Sequence, residues 1–136
     1  MNRFIRAVCI PFGIVLGAFA AMPAAAAPEA AVTMLSAKDL ADMPGKEAIV
    51  FTVDFPPGSV DPVHRHDAHA FVYVLEGSIV MGVQGGREVT LTPGQTFYEA
   101  PGDIHTVGRN ASSTRPAKFV VTMVKNKGVP FFIPVK

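Results

Sequence analysis

Four histidines stand out in this chain, three of them inside the run Pro62-Val63-His64-Arg65-His66-Asp67-Ala68-His69. The fourth, His105, comes much later, in Pro101-Gly102-Asp103-Ile104-His105. A neutral imidazole offers a lone pair near physiological pH, which makes histidine the commonest metal-ligating side chain. Residues at i and i+2 of a strand share a face, so His64 and His66 can point together. A third imidazole brought alongside by the fold completes a three-nitrogen site and leaves coordination positions for water or substrate. Imidazole ligands suit iron, zinc, copper and nickel. The expected cofactor is one of these divalent transition metals, held by His64, His66 and a third imidazole from elsewhere in the chain. The competing reading is that the histidines are hydrogen-bonded core or surface residues with no ion.

His69 has two readings. If the strand is regular from His69 onward, it shares a face with Phe71, Tyr73 and Leu75 and lies at the surface. A bulge at Asp67-Ala68 would turn it inward as a fourth ligand.

These side chains must be positioned by strands. From Glu47 to Phe55 the chain alternates, with Ile49, Phe51, Val53 and Phe55 on one face, a period of two that marks a half-buried strand. Ala70 to Glu76, Ile79 to Val83, Arg87 to Leu91, Thr96 to Glu99, Ile104 to Val107 and Ala117 to Lys125 read as further strands. They are separated by turn signals at Gly77-Ser78, Gly85-Gly86, Thr92-Pro93-Gly94 and Pro101-Gly102. Val129 to Val135, interrupted by Pro130 and Pro134, fits an edge strand. Helix signal is confined to one turn at Lys38 to Asp42. Short strands at this spacing argue an all-β sandwich or barrel. Phe51, Phe55, Phe71, Phe97 and Phe119 are expected to build its core, Tyr73 and Tyr98 to pack, and Glu76 and Glu99 to be structural or strand-end acids.

Residues 1–26 read as a secretory signal peptide: Arg3 and Arg6, then the uncharged run Ala7 to Ala21, then Met22-Pro23 and Ala24-Ala25-Ala26. Cleavage after Ala26 leaves one domain of residues 27–136, expected in the periplasm; the alternative is an uncleaved N-terminal anchor. The lone cysteine, Cys9, lies in that leader, so the mature domain has no thiolate ligand and no disulfide. Without Arg3 and Arg6, ten scattered basic residues face eleven acidic ones. No basic stripe points to nucleic acid, and no second long apolar run points to the membrane after cleavage.

The stretch Gly58-Ser59-Val60-Asp61-Pro62-Val63-His64-Arg65-His66, closed by Leu75-Glu76-Gly77, resembles the first motif of the cupin superfamily. Gly94-Gln95-Thr96-Phe97-Tyr98-Glu99-Ala100-Pro101-Gly102-Asp103-Ile104-His105 resembles the second. The resemblance implies an antiparallel double-stranded β-helix, or jelly-roll barrel, with motifs at about 58–77 and 94–110 and with His64, His66 and His105 converging inside it. It departs from the family in three places. The glutamate expected four or five residues after the second histidine is replaced by Ala70 and Phe71. The usual proline falls at Ala100. The closing asparagine matches Asn110 only with one extra residue. Asp103 and Asn110 flank His105 and either orient it or serve turns.

Taken with the resemblance, the expected function is an exported, metal-binding cupin that binds or acts on a small organic molecule, in its enzymatic form a dioxygenase. Cupin thiol dioxygenases work with three histidines and no glutamate. The alternatives are a non-catalytic periplasmic module binding a metal or small ligand, and a metal-free cupin. A homodimer formed through sheet faces is the family-level expectation.

Overall fold

The computed structural model describes residues 26–136, so the expected signal peptide lies, but for its last residue, outside the described residues. Ten strands follow in order. They are β1 (Ala31–Asp39), β2 (Lys46–Phe55), β3 (His64–Arg65), β4 (Ala68–Glu76) and β5 (Ile79–Val83), then β6 (Val89–Leu91), β7 (Thr96–Glu99), β8 (Ile104–Asn110), β9 (Ala117–Asn126) and β10 (Ile133–Pro134). They form two five-stranded sheets, β1-β2-β9-β4-β7 and β10-β3-β8-β5-β6. Every pairing is antiparallel. No helix occurs among the described residues, so the turn expected at Lys38 to Asp42 is instead the end of β1 and a hairpin turn.

The core lies between the sheets. Ile49, Phe51, Val53 and Phe55 face inward from β2, as their alternation requires, and Phe119, Val121 and Met123 face inward from the neighbouring β9. Phe55 and Phe119 meet edge to face with ring centroids 5.0 Å apart, the arrangement favoured by aromatic quadrupoles. Burying a side chain of this size contributes on the order of 1.5–3 kcal/mol. On β4, Ala68, Ala70, Val72 and Val74 are buried while His69, Phe71, Tyr73 and Leu75 are exposed. Phe71 therefore leaves the expected core set: its parity on β4 puts it outside, beside Tyr98.

Gly77 makes the tight link between β4 and β5. Its φ of 67° lies in the left-handed region, and a Cβ there would stand 2.4 Å from the Pro116 carbonyl oxygen. Asn110 closes the far end of β8. Its Nδ2 donates to the carbonyls of Phe55, Pro56 and Arg115 at 3.1, 3.1 and 2.8 Å, and its Oδ1 accepts from the Ser112 amide at 2.9 Å. Asp103 accepts the Ala100 amide at 2.8 Å. Both residues serve turns.

Candidate metal centre

β3 and β8 are neighbours, and their register sets His64 directly opposite His105. Directly opposed residues have Cβ atoms about 4.5–5.5 Å apart, so the two rings are neighbours by construction. His66 follows His64 by two residues and faces the same way. All three are buried, at 3%, 6% and 3% exposure. One ring nitrogen from each lies within 4.8 Å of the others. His64 Nε2 is 3.2 Å from His66 Nε2 and 3.3 Å from His105 Nδ1.

The outer nitrogens decide what these atoms carry. His64 Nδ1 faces the Pro62 carbonyl at 2.8 Å, and His66 Nδ1 faces the Phe131 carbonyl. A carbonyl only accepts, so both Nδ1 atoms bear the proton. Each neutral ring then turns a bare lone pair inward at Nε2. Burial pushes both imidazoles below their ordinary pKa and holds His105 down to about 4. Protonation therefore does not relieve the facing lone pairs at neutral pH. A cation does. Nitrogens bound about 2.0–2.1 Å from a common ion stand roughly 3 Å apart, the spacing that His64 Nε2 makes with His66 Nε2 and with His105 Nδ1. The donor set and its spacing fit a transition ion.

The C-terminal segment braces this arrangement. β10 pairs with β3, placing Pro134 opposite His64. The Phe132 ring stacks on His64 with centroids 4.3 Å apart. Carbonyl partners of this kind fix tautomer and ring orientation. The edge strand expected at Val129 to Val135 is present in part, and the segment supports the site.

His69 is not in the cluster. It is exposed on the outer face of β4 and shares a 2.8 Å hydrogen bond with the Tyr98 hydroxyl. Tyr73, Tyr98 and Glu76 are exposed as well.

Two carboxylates escaped the sequence reading. Glu99, expected to be structural, is 3% exposed on the inner face of β7. Its Oε2 lies 3.5 Å from His105 Nδ1 and 3.7 Å from His66 Nε2 and has no hydrogen-bond partner. Burial, with the Asp103 and Asp61 charges, raises its pKa to about 7. Asp61, raised by burial to about 6, also lines the cavity. Gly108 lets it approach: a Cβ there would stand 3.2 Å from both Asp61 Oδ2 and His105 Cε1. The signal for Glu99 was its parity with Phe97, which packs on the core.

The rings open onto a cavity of about 80 Å³ walled by Phe51, Val72, Met81, Val121, Met123 and Phe132. Two inward strands from different halves of the sequence, a buried histidine cluster and a small apolar cavity make up the site. A family model of the cupin domain matches residues 51–123, more than half of the chain. The chain belongs to the cupin family. Among solved structures, this cupin is similar to a Klebsiella pneumoniae protein with a double-stranded β-helix domain, at 19% identity over 79% of this chain and 86% of that one, with a TM-score of 0.60. An oxalate oxidase in complex with the substrate analogue glycolate is 28% identical over 78% of this chain and 55% of its own, with a TM-score of 0.59. A DMSP lyase from Ruegeria pomeroyi is 22% identical over 65% of this chain, with a TM-score of 0.57. The cupin chain spans 43% of the lyase and 55% of the oxidase. No curated protein matches the sequence.

Proposed function

We propose that this cupin is an exported protein that holds one divalent transition ion (iron, zinc, copper or nickel) on His64, His66 and His105 and binds or converts a small organic molecule beside it. The observation that carries the reading is the pair of bare Nε2 lone pairs 3.2 Å apart in a buried site, with His105 Nδ1 at 3.3 Å. The ion would supply Lewis acidity or oxygen activation, and a dioxygenase is the enzymatic form of the proposal.

The chain's own residues do the rest. The Pro62 and Phe131 carbonyls keep the His64 and His66 lone pairs aimed inward. Phe131 and Phe132 add apolar wall to the cavity. Asp61, half-buried at the cavity wall, is placed to take or give a proton. A cavity of about 80 Å³, against roughly 10–15 Å³ of such space to hold one water, suits a small organic substrate. The likeness to an oxidase of a small acid supports the same size class.

The test is the metal content of the mature protein purified from the exported fraction, with its N-terminus sequenced. One transition ion per chain, lost in His105→Ala, and a start at Ala27 are expected. Oxygen uptake with a substrate marks the dioxygenase, and tight zinc or copper without turnover marks a periplasmic binding module. No ion under any loading condition, or full occupancy in His105→Ala, overturns the metal reading.

A further inference from the structure

Two inward-facing positions on adjacent strands point to a fourth ligand. Ala70 on β4 lies directly opposite Glu99 on β7. Both face inward, at 0% and 3% exposure. Ala70 occupies a position where the cupin motif carries its glutamate, and its methyl offers no ligand atom. From one strand away, Glu99 lines the cavity and sets its Oε2 3.5 Å from His105 Nδ1 and 3.7 Å from His66 Nε2. Resting on the metal reading above, we propose that Glu99 is the anionic ligand of the centre, so that the carboxylate missing from β4 is supplied across the sheet from β7.

The geometry argues against a closed structural pair. Glu99 Oε2 is buried and accepts no hydrogen bond. Its only cationic candidates among the described residues are the imidazoles, at 3.5 and 3.7 Å, beyond hydrogen-bond length. His66 cannot serve as donor, because its single proton at Nδ1 is given to Phe131. With Glu99 ionised, an acceptor faces an acceptor across the His66–Glu99 gap. Stranding a buried carboxylate oxygen is costly, and a cation between these atoms satisfies both. The carboxylate also offsets one positive charge of an ion that three neutral imidazoles leave uncompensated.

The test is titration of the metal-free protein with Co2+, reading affinity and the visible absorption of the bound ion, on wild type, Glu99→Gln and the relocation variant Ala70→Glu/Glu99→Ala. Glu99→Gln should weaken binding at least about tenfold and alter the absorption bands. The relocation variant should restore at least part of the affinity. The metal-free melting temperature of Glu99→Gln should match or exceed that of wild type, because a stranded buried carboxylate has been removed. Unchanged affinity and bands in Glu99→Gln overturn the fourth ligand and leave the three-histidine centre standing. A lowered metal-free melting temperature with unchanged bands makes Glu99 structural and likewise overturns it. Failure of wild type to bind Co2+ or any other transition ion overturns the underlying metal reading instead.

Discussion

Two buried charged groups on the inner faces of the barrel behave in opposite ways. Lys125 continues the inward series of β9 and is 4% exposed, yet it is fully partnered. Its Nζ donates to Glu47 Oε1 at 2.6 Å, directly across the β2–β9 register, and to the Asn126 carbonyl at 3.0 Å. Glu99 is as deeply buried and has an oxygen with no partner. The first arrangement is closed, with charge and hydrogen bonds met within the chain. The second is open, with an unpartnered carboxylate oxygen facing inward lone pairs. A closed pair acts on folding. An open cluster acts on what binds. Removing a member of each should therefore give different phenotypes.

The largest effect is expected at the open cluster. His64→Ala or His105→Ala should lower transition-metal affinity by more than about 100-fold, read by metal analysis after dialysis. Metal should also raise the melting temperature of wild type and not of these variants, because an ion bound to the native state stabilises it by mass action. A variant that keeps its metal would make the two regions alike and break the contrast.

At the closed pair the readouts reverse. Lys125→Ala strands Glu47 and removes a packed aliphatic stem, so the melting temperature should fall by roughly 10 °C with metal stoichiometry unchanged. Loss of metal along with stability would mean that the pair and the cluster are coupled.

The two glutamates should also differ in pH dependence. The hydrogen bond from Lys125 holds Glu47 below the ordinary value of 4.5. Its contribution is present above pH 4.5 and is lost as pH falls below that through the folded-state pKa. Glu99 in the metal-free protein is raised from 4.5 to about 7. Its proton is held better by the folded state, so its contribution is present below pH 4.5 and is lost as pH rises through about 7. Metal-free wild type should lose stability relative to Glu99→Gln over that rise, measured by denaturant melts. A parallel pair of curves would contradict the burial of that carboxylate.

The smallest effect is expected at His69. His69→Ala removes an exposed hydrogen bond to Tyr98. Stability should change by less than about 0.5 kcal/mol and metal affinity not at all.

Much of this was legible in the residues. The alternation of Ile49, Phe51, Val53 and Phe55 fixed the inward face of β2, whereas His69 kept two readings and Phe71 was expected in the core until the regular register of β4 put both outside. The spacing of His64 and His66, with His105 in the second motif, anticipated the three that converge. β1 was not legible, because all of its residues are exposed and burial imposes no period on it. Glu99 was not legible as a site residue because a strand-end glutamate beside a turn is usually solvated. Its parity with Phe97 on a four-residue strand was a weak signal, and its register opposite Ala70 shows that it is aimed inward. The brace on His66 is a backbone carbonyl at Phe131, and no side-chain type announces a carbonyl.

The most direct measurement is the anomalous scattering of a crystal grown with a transition ion. The account predicts one peak about 2.0–2.1 Å from a ring nitrogen of each of His64, His66 and His105, with a Glu99 oxygen in the same shell. A peak elsewhere on the molecule, or these three rings turned apart around solvent, would contradict it.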